Sequence, residues 1–257
     1  MLAGHPSGLA VCLRSLRKSA LCHKGPDSSH ALKLSVVYAA KYATLAKAYS
    51  RVFEYIEVEL MNADRKRELV SMMALDQRTL SELAHRGEIG PHQPYHPVLR
   101  EIHESNARAL AEIIEEIGWP TISKVGAQGA EAAWNIVQHS VSDTGFMSDC
   151  AELLEVAVSS QDAEGWQLAF LKDRLQTMSG EEQVYGTQFD QDAEGWPTPF
   201  PIRDPDGVNE RRLALGLNSI EERTAELRLR ETARQAAVSR ANEEEGGGGG
   251  GWPDADL

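Results

Sequence analysis

The side chains able to carry protons or hold anions in this sequence fall at a few helical spacings. His139, in "WNIVQHS", carries an imidazole, the side-chain type best suited to general acid/base work at neutral pH. Asp76, in "LDQR", stands seven residues after Leu69 and four before Leu80, on the apolar side of a helical pattern. In "LKDRLQTMSGEEQVYGTQ" the adjacent Asp173 and Arg174 interrupt a helix that is otherwise apolar on most sides, through Trp166, Leu168, Phe170, Leu171, Leu175 and Met178. Unpaired charges in such surroundings cost several kcal/mol, so each requires a partner.

Those residue types define a chemistry. His139 is expected as the proton carrier, with Asp76 or Asp173 orienting it or sharing its charge. Arg174 and Arg212 are expected to grip a carboxylate or phosphate group by paired N–H donors. Gln138 and Asn106 lie on inward helix faces, and Gln183, Tyr185, Thr187 and Gln188 supply hydroxyl and amide groups to position a substrate. The leading expectation is therefore an enzyme acting by acid/base chemistry on a small polar or anionic ligand. The competing expectation is a helical binding module for a peptide or protein partner, with the same charges forming a buried ion-pair network that sets helix register.

Helices must position these groups. Leu45, Tyr49, Val52, Phe53, Ile56 and Leu60 make one amphipathic stripe, and Leu69, Met72, Met73, Leu80 and Leu83 make another. Leu110, Ile113, Ile114 and Ile117 form a third, continued backward by Asn106 and His103, and stopped by Gly118 and Pro120. Further helices are expected over about 126–141, 147–159, 163–178, 208–217 and 219–241. Strand patterns are scarce. "QVYGTQF" is the only short candidate, and "WPTPFPIRDPDG" reads as a proline-broken loop. The hexapeptide "QDAEGW" occurs at 161–166 and 191–196, a coincidence rather than a repeat architecture.

The expected fold is all-α, a single domain of packed helical hairpins with one short irregular or β-like segment near 183–189. Its bounds are 30–241, preceded by an extension over 1–29 that is either disordered or transit-like, and followed by an acidic, Gly-rich flexible tail over 242–257. The 257 residues are 42% hydrophobic and 25% charged, the profile of a soluble chain. The formal net charge of -13 is uneven, since residues 54–257 alone hold 18 basic and 38 acidic side chains. So acidic a body argues against nucleic acid, and the lack of a long apolar run argues against a membrane. Three cysteines without a paired framework suit the cytoplasm, with Cys150 as a core residue. A monomer is expected, or a weak dimer through the exposed face of helix 219–241.

The boxes "LDQR" (75–78), "SNA" (105–107), "GWPTISKVG" (118–126), "WNIVQHS" (134–140), "LKDR" (171–174), "GEEQVYGTQ" (180–188) and "DGVNERRLALGL" (206–217), in that order, carry a likeness. The chain resembles a bacterial domain-of-unknown-function family, number 6624, over roughly residues 55–220. That resemblance implies a common fold and a shared polar constellation and no particular reaction. Phosphate loops, nucleophile elbows, HExxH helices and ferritin-type ExxH pairs are missing. No cofactor and no metal is assigned, although His139 and Asp143 with a carboxylate from another helix stand as the alternative metal set.

Overall fold

The computed structural model describes residues 28–90 and 93–246. The expected N-terminal extension lies outside the described residues up to residue 27, as does the glycine tail from 247 onward. Among these described residues seven α-helices follow in order: α1 (Ser28–His85), α2 (Pro97–Ile117), α3 (Ile122–His139), α4 (Thr144–Ser159), α5 (Gly165–Met178), α6 (Val208–Leu213) and α7 (Ile220–Gly246). Between α5 and α6 lie two three-residue strands, β1 (Phe189–Gln191) and β2 (Pro197–Pro199), paired antiparallel. The fold is mainly α-helical, as the periodicities predict.

Contacts divide the chain into two units, Met1–Met61 and Asn62–Leu257. In the first, the described residues belong to α1, and the stripe predicted there is on the helix but uncovered. Tyr49, Phe53 and Leu60 are 66%, 64% and 62% exposed. Helical spacing aligns apolar residues on one face without supplying anything to cover it.

In the second unit the core is built where the stripes predict. Leu69 on α1, Leu110 and Ile113 on α2, Val125, Ile136 and Val137 on α3, Met147 and Leu154 on α4, and Leu171 on α5 are all buried in one cluster. Each such side chain contributes about 1.5–3 kcal/mol by leaving water. Trp134, Trp166 and Phe170 meet edge to face with ring centroids 4.9–6.0 Å apart, and the Trp134 indole N–H donates to the Gln167 carbonyl at 2.9 Å. This aromatic corner ties α3 to α5.

The "GWPTISKVG" box is the joint between α2 and α3. Gly118 takes φ +70° to end α2, and buried Trp119 anchors the turn. The Lys124 ammonium donates to the Ile117 and Trp119 carbonyls, satisfying groups that the end of α2 leaves open. Gly126 kinks α3 at φ +69°, ψ 168°, which explains why the regular pattern begins only after it.

The β-like expectation is met at both ends of its segment, where Gln183 makes an isolated bridge to Ile202 and a short strand starts. Strand β1 begins at Phe189, at the end of the predicted segment, and pairs with a strand from the stretch read as a proline-broken loop. Prolines in β2 are tolerated because a two-stranded sheet is all edge. The second "QDAEGW" copy makes the hairpin turn, with the Asp192 carboxylate accepting from the Glu194 and Trp196 amides. The first copy joins α4 to α5, so the two copies share no structure.

Cys150 is 1% exposed in the core, and burial pushes its thiol up to about 12. Burial thus favours the neutral thiol: its contribution to stability is intact below about 9 and is lost as pH rises towards about 12. Site-resolved alkylation at pH 8 is expected to leave Cys150 unmodified in the folded protein and to label it fully in urea. Modification of folded Cys150 at the rate of an unfolded thiol would contradict this packing.

Candidate functional site

Three helices converge on one buried carboxylate. Asp76 of α1 is 1% exposed, held inward by Leu69 and Leu83 one heptad to either side. One of its oxygens, Oδ1, meets His103 Nε2 of α2 at 2.9 Å, and the other, Oδ2, meets His139 Nδ1 of α3 at 2.5 Å. The two imidazole rings stand 4.9 Å apart and are tilted by 39°, so their nitrogens converge on the carboxylate instead of stacking past it. Behind His103, its Nδ1 lies 2.5 Å from the Tyr95 hydroxyl.

Electrostatics fix the ionisation of the centre. Burial works to raise the Asp76 carboxyl, but the hydrogen bonds and charge of the two imidazoles overcome it and hold it well below the usual carboxylate range. Asp76 is therefore an anion at neutral pH. Among the described residues no Lys or Arg pairs with it; its only ion-pair partners are the two histidines. Burial, and then the Glu104 charge, push the Tyr95 hydroxyl up.

The imidazoles open on a cleft of about 280 Å³, bounded also by Glu104, Arg108, Ser142 and Asp143. Ala107 and Ala111, four and eight residues after His103 on α2, leave the room that larger side chains would fill. A second hollow of about 340 Å³ shares Glu104 and Arg108 with the first and adds Tyr95 and Arg100. Arg108 forms no ion pair among the described residues, and the Arg100 guanidinium lies 5.3 Å from the Tyr95 ring centre.

The remaining expected site residues gather elsewhere. Asp173 of α5 is fully buried, and its carboxylate accepts from the Val184, Tyr185 and Thr187 amides and the Thr187 hydroxyl at 2.8–3.1 Å. On the other side of the same loop, Arg212 of α6 donates to the Tyr185 and Gly186 carbonyls, and Arg211 donates to that of Val184. Gly186 makes the turn at φ +65°, where a Cβ would come 2.8 Å from Ile220. Gln183 closes the loop by exchanging side-chain bonds with the Gln188 backbone, and Gln188 reaches the Phe170 carbonyl.

The structure thus unites Asp76 with His139 and assigns Asp173 a different task. Neither Asp173 nor Arg212, Gln183, Tyr185, Thr187 or Gln188 lines the cleft. The expected ion-pair network is replaced by peptide groups: among the described residues Asp173 forms no ion pair, and its charge is met by N–H dipoles. Arg174, whose guanidinium burial lowers, donates to the Gln138 carbonyl at 3.0 Å in the last turn of α3. Asn106 and Gln138 are buried as expected, one turn beyond His103 and beside His139. Asp143 caps α4 through the Phe146 amide, on the rim of the same cleft.

Two residues escaped assignment in the sequence. His103 sits on the inward stripe of α2, a signal that was visible, whereas its pairing with Asp76 across 27 positions was not. Tyr95 lies in the loop before α2, where no periodicity points. For metal binding, Asp76, His103 and His139 offer ligand atoms that all lie within 4.8 Å of one another.

Fold and site together define a mainly helical domain with a carboxylate–diimidazole centre at the floor of a small cleft. A family profile described as a family of unknown function (DUF6624) matches residues 63–238, and the chain belongs to that family. Comparison with curated proteins and comparison with solved structures each find no match. No helix among the described residues is long and apolar enough to cross a membrane.

Asp173→Ala would strip three amides and a hydroxyl of their acceptor, and a loss of about 3–5 kcal/mol in urea unfolding is expected. Thr187→Val, which removes one bond to the carboxylate, should cost about 1.5–3 kcal/mol. An Asp173→Ala protein within about 1 kcal/mol of the parent would refute the structural role.

Proposed function

We propose that this protein is an enzyme that performs acid/base chemistry on a small polar or anionic substrate in the cleft at His139. The observation that supports this most is the Asp76–His139 pair. A buried carboxylate holds Nδ1, and Nε2 has no protein partner among the described residues on a side chain that lines the cleft. An imidazole oriented at one nitrogen and open at the other is the arrangement that general acid/base catalysis needs. His103, bonded to the other Asp76 oxygen, shares the charge.

Substrate class follows from the walls. A cleft of about 280 Å³ is at the small end for ligand sites. Arg108 is the one cationic wall residue of the cleft itself, with Arg100 in the adjoining hollow, and the two suit a carboxylate or phosphate group. Arg174 and Arg212, expected in that role from the sequence, are occupied by backbone carbonyls. A cytoplasmic setting and a monomeric or weakly dimeric state agree with the cysteine content and with the charged face of α7.

A second reading, a binding module for a peptide or protein partner, has one observation in its favour. The uncovered apolar residues Tyr49, Phe53 and Leu60 of the first unit are the sort of surface that partners cover. The two readings use different residues and are separable.

A thermal-shift screen of small anionic and polar metabolites against the full chain is the test. At least one compound is expected to stabilise the protein, by about 2.7 kcal/mol at a hundredfold excess over its dissociation constant. His139→Gln and the exposed Arg108→Ala should abolish that shift, and turnover of the compound, followed by NMR, should fall about 10²–10⁴-fold in His139→Gln. Retention of the full shift and rate in both variants would eliminate the cleft as the site of reaction.

A further inference from the structure

We infer that Asp76, His103 and His139 form a binding site for one divalent first-row transition-metal ion. The ion's catalytic role rests on the reading of the cleft as a reaction site; its binding does not.

Charge supplies the first argument. Asp76 is 1% exposed and, among the described residues, has no Lys or Arg partner, so its negative charge is countered by nothing permanently positive. A buried anion has to be neutralised. Two imidazoles can do this by holding an extra proton or by holding a cation together with the carboxylate. The donor set favours a cation: two nitrogens and one carboxylate oxygen, delivered by three different helices and gathered within 4.8 Å. Metal–ligand bonds of roughly 2.0–2.2 Å are reached from that starting point by small side-chain shifts.

Orientation supplies the second. A ligating histidine needs its other nitrogen held, so that the ring presents the ligating nitrogen inward. For His103 that partner is the Tyr95 hydroxyl, 2.5 Å from Nδ1, which leaves Nε2 directed at Asp76. Three protein ligands with one side open to a cleft match a catalytic metal site, which keeps a coordination position free, and not a closed structural one. The ion class follows from the donors. Magnesium and calcium prefer oxygen alone, soft ions prefer sulfur, and a mixed imidazole–carboxylate set suits zinc, iron(II), cobalt(II) or manganese(II). An ion bound here would supply the base of the cleft as a water on its open side, in place of the His139 ring, which would then help to hold the ion.

The test uses the full chain, stripped with a chelator and titrated with Zn²⁺ by calorimetry and with Co²⁺ by visible absorption. One equivalent is expected to bind, with Co²⁺ giving the intense visible bands of a site of low coordination number. His139→Gln and His103→Gln should each weaken binding more than a hundredfold, and Tyr95→Phe about 10–100-fold. Exposed His85→Gln should leave it unchanged, and so should Cys12→Ser/Cys22→Ser, which removes the thiols outside the described residues. Should His103→Gln fail to fold, substitution of the partly buried His139 and Tyr95→Phe carry the same comparison. No stoichiometric binding, or binding that survives both histidine substitutions, overturns the site. No metal binding by the unsubstituted protein, with its metabolite shift present, would defeat this inference and spare the enzyme reading. A tight, triad-dependent ion with no metabolite response would do the reverse.

Discussion

A carboxylate without water must be given compensating charge, and this fold does so at Asp173 and at Asp76 by opposite means. Asp173 is surrounded by amide N–H groups and a hydroxyl, five contacts that use both oxygens. Such donors cannot titrate or leave, so the group is saturated and inert. Asp76 is met by two imidazoles, which can gain or lose protons and bind cations. Burial is equally severe in both cases. The difference between a saturated joint and a centre that can still exchange protons or cations therefore lies in what compensates the charge and not in how deeply it is buried.

The Asp173 segment is also tied to the Asp76 centre. Asp173 and Arg174 are neighbours on α5 and point about 100° apart, as successive helical residues must. One binds the loop over 184–187, and the other reaches the Gln138 carbonyl. That carbonyl is in the last turn of α3, where carbonyls lack partners within the helix and where a cation also complements the helix dipole. His139 is the next residue and the last of α3. A helix end left to fray would carry the imbalance directly into the Nδ1 contact with Asp76. The Trp134–Trp166–Phe170 corner restrains the same pair of helices from the apolar side.

What could be read in the sequence divides along the range of the interactions. Helical stripes report burial within one element, so they direct Asp76, Asn106, Gln138 and Asp173 inward, where the structure has them. Partnership between elements is a property of packing, and spacing is silent on it. Asp173 could be known to need a partner, and the Gly186 turn near it suggested the loop, but nothing distinguished amides from a histidine. Residues 45–60 show the opposite failure. Their stripe is as regular as that of α2, yet it ends uncovered, because amphipathicity states a demand for a partner and does not supply one.

The boxes that carry the family likeness do not separate function from scaffold, and the structure explains why. "LDQR" and "WNIVQHS" contribute Asp76 and His139 to the carboxylate–imidazole centre, whereas "LKDR", "GEEQVYGTQ" and "DGVNERRLALGL" contribute Asp173, its loop and the Arg211–Arg212 pair. Both sets are buried, polar and bonded across elements, so substitution in either leaves partners stranded at similar cost. Unused bonding capacity is the better guide. The side-chain amide of Gln183 and the hydroxyl of Thr187 are occupied within the protein, whereas His139 and Arg108 line the cleft with Nε2 and the guanidinium lacking protein partners among the described residues. Groups held firmly on one side and left unsatisfied on the other are those free to act on a molecule from outside, and here they lie on α3 and α2, on either side of one small hollow.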